Sequence, residues 1–264
     1  MHVDTQSLMQ IARKAGRAIL DVYYTEFEVT HKADQSPLTV ADEAANDIII
    51  SELSSLYPDI PIISEETAET TYSTRRKWPY VWLVDPLDGT KEFVQRNGEF
   101  TVNIALVAKG EPVWGMIHVP VSGATYHASI GSGAFRSDNN NETESIASTS
   151  PDKKLVIASS RSHVSPEVEK YVLQLRAHFD RVEFISAGSA LKFCLIAEGR
   201  AHLYPRFGTT MEWDTAAGQV ITREAGGSTI AMSTKESLEY NKENLKNPSF
   251  VVMGSDLTAY LPSL

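Results

Sequence analysis

The chain contains a single cysteine, Cys194. An intramolecular disulfide is impossible, and thiolate-rich zinc or iron–sulfur sites are excluded. Basic residues are in the minority. Lysine and arginine total 24 against 34 aspartates and glutamates, a formal net charge of -10. A broad cationic face for a nucleic-acid polymer is therefore not expected, because phosphate backbones are gripped by lysine and arginine. Long apolar runs are also missing. No stretch approaches the ~18–20 residues that span a bilayer, and Met1-His2-Val3-Asp4 lacks the basic segment and apolar run of a secretory leader. The expectation is a cytoplasmic protein with no integral membrane segment. Peripheral contact at the inner membrane face is left open, with no amphipathic basic helix to argue for it.

Several catalytic signatures are absent too. There is no P-loop, HExxH or nucleophile elbow, and Gly131-Ser132-Gly133 lacks the rest of a dinucleotide fingerprint, so a turn is expected there. His2, His31, His118, His127, His178 and His202 show no metal-ligand spacing.

What is present is an ordinary globular composition: 264 residues, 42% hydrophobic and 22% charged. That supports one or two domains with a sizeable core. Cys194 sits in an apolar stretch and is expected to be a buried thiol. The aromatics, Trp78, Trp82, Trp114 and Trp213 among them, are expected in the core.

Apolar residues at Leu8, Ile11, Ala12, Ala15, Ala18, Ile19 and Val22 predict a helix over 5–27. A second helix is expected from about 40 to 56, with Thr39 as its N-cap and Asp42 three residues later. Residues 60–63 and 81–84 read as short apolar strands; the first runs into Glu65 and the second is halted by Asp85-Pro86. The polar segment 67–77 reads as an exposed loop. Strands over 101–109, 113–119 and 124–128 form an antiparallel run, followed at 137–152 by a surface loop or domain junction. Beyond it, strands at 155–158, 182–186, 201–204, 228–231 and 250–253 alternate with helices at 165–178, 190–198 and 214–225. The fold class is α/β (α+β), layered, with some parallel pairing. The halves 1–150 and 151–264 are expected to form one compact unit.

Chemistry concentrates in Asp85-Pro86-Leu87-Asp88-Gly89-Thr90. This segment follows an apolar strand, so Asp85 stands at a strand's carboxyl end, where α/β ligands tend to bind. A turn there can gather Asp85, the Leu87 carbonyl and Asp88 around one point, a set of hard oxygens suited to Mg²⁺. Two aspartates beside proline and glycine equally suit a structural turn. Glu65 ends an earlier strand in the same manner. Asp214 opens a helix, and an N-terminal capping role is the plainer explanation for it alone. Asp42 completes a capping box. What stands out is that several acids each lie at an element terminus.

Asp-Pro-Leu-Asp-Gly-Thr at 85–90 and Trp-Asp-Thr-Ala-Ala-Gly at 213–218 resemble the two signatures of the inositol monophosphatase superfamily, and the likeness runs through nearly the whole chain. Within it, the segments 88–93, 96–103, 188–194 and 204–207 resemble the branch of 3′(2′),5′-bisphosphate nucleotidases. Thr209 departs from that pattern, where proline is expected. The resemblance implies a layered αβαβα sandwich of the inositol monophosphatase/fructose-1,6-bisphosphatase type. It also implies a Mg²⁺-dependent, lithium-sensitive phosphomonoesterase with two or three ions per site. By position, it implies that Glu65, Asp85 and the Leu87 carbonyl hold one ion and that Asp85, Asp88 and Asp214 hold another. Glu65 also reaches a weaker third ion and joins the catalytic set. Thr90, bonded to Asp42, helps activate the attacking water. Gly89 and Thr90 cradle the scissile phosphate, and His163, Ser189, Lys192, Arg206 and Asp214 face the nucleotide.

The implied reaction removes the 3′-phosphate of adenosine 3′,5′-bisphosphate. Taken alone, Lys192 and Arg206 could equally be solvated or paired with a surface acid, and His163 a plain loop residue. The alternatives are an inositol or sugar monophosphate phosphatase, a nucleotide- or metal-sensing protein without turnover, and a purely structural interaction protein. The oligomeric state is left open.

Overall fold

Two amphipathic helices make the first layer. α1 (Thr5–Tyr23) starts at Asp4, whose carboxylate accepts from the Ser7 N–H at 3.2 Å. α2 (Val40–Leu56) starts at Thr39, whose hydroxyl accepts from the Ala41 N–H at 3.2 Å, while Asp42 accepts from the Thr39 N–H at 2.8 Å. This is the expected box, closing two otherwise orphaned N–H groups. α1 stops at Tyr23, short of 27, because burial ends there: Tyr24 is 70% exposed. The computed structural model describes residues 3–26, 29–31, 37–67, 70–160 and 166–260. A small antiparallel pair, β1 (Thr30–His31) and β2 (Pro37–Leu38), joins the two helices.

Both helices bury their apolar stripes on one face of a seven-stranded sheet. Its strands are β3 (Ile62–Ser64), β4 (Tyr80–Asp88), β5 (Thr101–Ala108), β6 (Glu111–His118), β7 (Thr125–Ser129), β8 (Gly133–Ser137) and β9 (Thr143–Ile146), in chain order across the sheet. Only the β3–β4 pair is parallel. Strand alternation sends Trp82, Val84, Ile104 and Leu106 toward α1 and α2. Val81, Leu83, Ala105 and Val107 face the opposite way. There they meet the third layer, α6 (Leu191–Ala197) and α7 (Glu212–Glu224). Two short helices, α3 (Tyr72–Arg75) and α4 (Thr90–Val94), flank β4.

The fourth layer is a five-stranded sheet. It is built from β10 (Lys154–Ser159), β11 (Arg181–Ser186), β12 (Leu203–Arg206), β13 (Ser228–Ala231) and β14 (Phe250–Met253), in the order β11-β10-β12-β14-β13. β10 pairs in parallel with both β11 and β12. α5 (Pro166–Leu175) covers its outer face with Val168, Tyr171, Val172 and Leu175. The layering is thus αβαβα, as the resemblance implied.

Three expectations need correction. β4 is not halted at Asp85 but runs on to Asp88. Asp85 lies opposite Asn103 and Asp88 opposite Thr101, so β4 takes three steps where β5 takes two. That extra residue is a bulge, which tolerates a proline with no N–H to give. Segment 67–77 is not simply an exposed loop, since Arg75 is 4% exposed. Its guanidinium donates to Asn241 Oδ1 at 3.0 Å and to the carbonyls of Lys242 and Glu243. Segment 137–152 carries β9, and the chain passes between the sheets from Ile146 to Lys154.

Close helix-to-sheet contact produces a pH-sensitive buried histidine. His118 lies against Gly16, where a Cβ would come within 2.8 Å of its ring. Its Nδ1 is 2.9 Å from the Thr125 hydroxyl. Burial, reinforced by Arg13, lowers its pKa to about 4. The unfolded chain therefore takes up this proton first as pH falls, so the stability from neutral His118 is full above the ordinary histidine value and drains away toward pH 4. Denaturant titrations at pH 7 and 4.5 should show His118→Gln losing roughly 2–3 kcal/mol less than the parent over that interval. Equal losses would contradict the assignment.

Candidate active site

The acids converge where β3 and β4 end together. The Glu65 N–H donates to the Val84 carbonyl at 3.1 Å, which extends the parallel pairing and sets Glu65 beside Asp85. Because of the bulge, Leu87 follows Val84 into the α1/α2 core while Asp85 and Asp88 share the other side of the sheet. Asp85 is 2% exposed, and its Oδ1 accepts from the Leu87 N–H at 3.1 Å.

Gly89 follows at φ 91°. This left-handed conformation favours glycine, and a Cβ there would also press within 3.2–3.3 Å of Ser189 and the Glu99 carbonyl. The turn delivers the Thr90 hydroxyl to Asp42 Oδ1 at 3.2 Å and to the Leu87 carbonyl at 3.3 Å. Asp42 cannot swing away, because its Oδ2 is fixed by the N–H and the hydroxyl of Thr39 at 2.8 and 2.7 Å.

α7 contributes from the opposite layer. Its first turn places Asp214, whose Oδ2 accepts from the Met211 N–H at 2.9 Å. The capping explanation for this residue is therefore correct as far as it goes. The preceding Trp213 donates its indole N–H to Glu65 Oε2 at 3.0 Å, tying α7 to the end of β3. Ligand-capable oxygens of Glu65, Asp85 and Asp214 all lie within 4.8 Å of one another.

Burial pushes the Asp85 carboxyl well above its ordinary range, and Glu65, Asp88, Asp214 and Asp42 push it further. Asp214 is raised likewise, by burial first and then by Asp88. Carboxylates gathered at mutual cost, with hard oxygens at one point, are the donor chemistry of Mg²⁺. Asp88 stands beside this trio rather than in it. Its Oδ2 accepts from Ser189 Oγ at 2.6 Å and from Asn103 Nδ2 at 3.3 Å.

A cavity of about 390 Å³ opens beside the cluster, and Asp88, Gly89, Asp214, Ser189, Lys192 and Arg206 are among the residues that line it. Ser189 takes φ 52° just before α6. Lys192 is buried, not solvated, and donates to the carbonyls of Ser189 and Ala187 at 2.7 and 3.2 Å. Burial lowers its pKa to about 8 against the pull of Asp88. Arg206 donates to the carbonyl of Thr209, the position that departs from the family pattern, at 3.1 Å. His163 lies outside the described residues.

Sequence reading missed other contributors. Trp213 packs in the core as expected and also holds Glu65, a contact the sequence did not indicate. Thr101 and Asn103 were strand residues without a role. Glu212, fully buried, accepts from the N–H groups of Asn241 and Lys242 and from Lys242 Nζ at 2.6 Å, fixing the start of α7. The available signal was polarity inside buried elements: Thr101 and Asn103 break an otherwise apolar strand at a spacing of two.

A profile of the inositol monophosphatase family matches residues 2–259. The 3′(2′),5′-bisphosphate nucleotidase CysQ of Salmonella typhimurium is 44% identical over 94% of this chain and 98% of its own. The crystal structure of CysQ from Bacteroides thetaiotaomicron superposes with a TM-score of 0.85 at 41% identity, covering 96% of this chain and 98% of that one. An IMPase from Thermotoga maritima, 24% identical, shares the fold with a TM-score of 0.79, covering 97% and 94%. The end-to-end match and the acid cluster at the meeting of β3, β4 and α7 agree: the chain belongs to the inositol monophosphatase family.

Proposed function

We propose that this chain is a Mg²⁺-dependent 3′(2′),5′-bisphosphate nucleotidase that converts adenosine 3′,5′-bisphosphate to AMP and phosphate. One observation carries the reading: a single cavity beside the carboxylate cluster is lined by Asp88 and Asp214 and also by Lys192 and Arg206. A substrate with two phosphates matches both sets. The relatives named as CysQ nucleotidases support it.

Glu65, Asp85, the Leu87 carbonyl, Asp88 and Asp214 would hold two or three Mg²⁺ ions. Bound there, Mg²⁺ supplies a lowered pKa for the attacking water and charge neutralisation on the phosphate. Thr90 Oγ1 accepts a hydrogen bond from that water while its own proton points to Asp42 Oδ1. Asp42, fixed by Thr39, is thus the proton's destination. Water attacks phosphorus, the bond to the 3′ oxygen breaks, that oxygen takes a proton from solvent to become the hydroxyl of AMP, and no covalent enzyme intermediate is needed. Backbone groups of Gly89 and Thr90 line the scissile phosphate. Lys192 and Arg206 hold the second phosphate, arginine in two-pronged fashion, while Ser189, bonded to Asp88, and His163 add to the nucleotide contacts.

Phosphate release should require Mg²⁺, and kcat/KM for the bisphosphate should exceed that for inositol monophosphate by roughly 10²-fold or more, since a monophosphate leaves charged groups unmatched. Equal values, or a preference for the inositol ester, would overturn the substrate assignment. Tight Mg²⁺-dependent nucleotide binding without turnover would point to a sensor. Thr90→Ala should lower kcat by about 10²-fold with KM little changed, as expected when a proton-handling group is removed.

A further inference from the structure

β5 directs two polar side chains, Thr101 and Asn103, to the side of the sheet that carries Asp85 and Asp88. They are buried to 0% and 1% exposure. Polar groups at that depth persist when they are hydrogen-bonded, and these are. Asn103 Nδ2 donates to Asp88 Oδ2 at 3.3 Å, and the Thr101 hydroxyl donates to Asn103 Oδ1 at 2.9 Å. The Thr101 hydroxyl also lies 2.6 Å from Ser189 Oγ, which donates to the same Asp88 Oδ2 at 2.6 Å. Four side chains from β4, β5 and the turn before α6 thus close a ring through one carboxylate oxygen. No hydrogen bond among the described residues reaches the other oxygen, Oδ1.

We propose that Thr101 and Asn103 are positioning residues that fix the rotation of the Asp88 carboxylate, leaving Oδ1 for the cation that Asp88 would hold together with Asp85 and Asp214. The proposal rests on Asp88 being a metal ligand. Each partner has a separate task. An asparagine amide can flip, and a flipped Asn103 would present its oxygen to an anion. Thr101 opposes the flip by donating to the amide oxygen, while Asp88 Oδ2 holds the amide NH2 on the other side. Ser189 has given its own proton to Asp88, so the Thr101 proton is shared between Asn103 Oδ1 and Ser189 Oγ. The ring also spans the halves of the fold, since Ser189 belongs to the layer between the sheets. Loss of the Thr101 hydroxyl therefore loosens the Asp88 carboxylate at two points, through Asn103 and through Ser189.

Partners that orient a metal ligand typically alter metal affinity or activity by ~10–100-fold. The test is a Mg²⁺ titration of nucleotide-free protein, followed by thermal shift and calorimetry, on the parent, Asn103→Ala, Thr101→Val and Thr101→Ser. Asn103→Ala and Thr101→Val should need roughly 10-fold or more Mg²⁺ for half-saturation, and Thr101→Ser, which keeps the hydroxyl, should stay within about 3-fold of the parent. In turnover assays kcat should fall at fixed Mg²⁺ and recover with excess Mg²⁺, while KM for the nucleotide holds. If Asn103→Ala does not fold, the near-isosteric Thr101→Val gives the same reading. Unchanged Mg²⁺ affinity in the folded variants overturns the proposal. Mg²⁺ binding by a parent that releases no phosphate refutes the nucleotidase reading alone, and a parent that does not bind Mg²⁺ refutes both.

Discussion

Asp85→Asn should abolish Mg²⁺-dependent phosphate release and, at the same time, make the metal-free protein more stable. The two effects have one cause. Asp85 is buried among Glu65, Asp88, Asp214 and Asp42, and burial followed by those four acids raises its pKa. In metal-free protein at neutral pH the folded state holds this carboxylate at a cost that the unfolded state avoids. The sign follows: the unfolded chain gives up its proton at the ordinary carboxylate value and the folded chain only at higher pH, so stability falls as pH rises between the two. Asparagine keeps the shape without the charge. Melting curves without metal should therefore show a higher Tm for the variant and a shallower decline from acidic to neutral pH.

With Mg²⁺ the order reverses. A ligand at about 100 times its Kd stabilises the parent by ~2.7 kcal/mol, and the variant should gain little of this. Activity should fall by roughly 10³-fold or more, because an ion's several kcal/mol of transition-state stabilisation is lost. A variant less stable than the parent without metal, or one with an undiminished Mg²⁺ shift, would contradict the role assigned to this cluster.

The second large effect is expected at an uncharged position, where a strand meets α7. Gly115 on β6 faces α7, and a Cβ there would sit 2.6 Å from Val220 Cγ1, 2.7 Å from Ala217 Cα and 2.9 Å from the Ala217 carbonyl oxygen. Two of these atoms belong to the helix backbone, so relief requires moving α7 off the sheet. Overpacking of this kind costs about 3 kcal/mol, or roughly 6–12 °C in Tm for a chain of this size. α7 carries Asp214 less than one turn from Ala217. Gly115→Ala should therefore lower Mg²⁺ affinity as well as stability. Adding Val220→Ala removes the nearest side chain but not the backbone contacts, so the double variant should recover only part of the loss. Full recovery would place the strain in the valine alone.

How much of this was legible beforehand varied by element. The bounds of α2 and its cap were readable because both signals are local: an apolar period and a Thr39–Asp42 box within four residues. The end of β4 was not. Proline halts a strand by a rule of the single chain, whereas the bulge is defined by pairing with β5. β9 was hidden because its residues are mostly exposed at a sheet edge and show little alternation. Arg75 sits in an Arg-Arg-Lys run that reads as solvated, and its partner Asn241 is 166 positions away. In the site, Asp85, Asp88 and Asp214 stood out through short signatures. The bond from Trp213 to Glu65, across 148 positions, left no trace in either segment.

The extra residue in β4 also sets a rule of parity. On a regular strand, positions three apart fall on opposite faces. Asp85 and Asp88 are three apart and share a face only because one residue between them is uncounted by the ladder. Their shared face thus depends on the ladder skipping one of the two residues between them more than on which residues those are. Exchanging Pro86 leaves the count intact, and both aspartates stay on the side of α7. Deleting it would leave the aspartates two apart on a regular strand, a spacing that also puts both on the side of α7. The bulge is, in that sense, a silent insertion: it lengthens β4 by one residue without changing the face on which either aspartate stands.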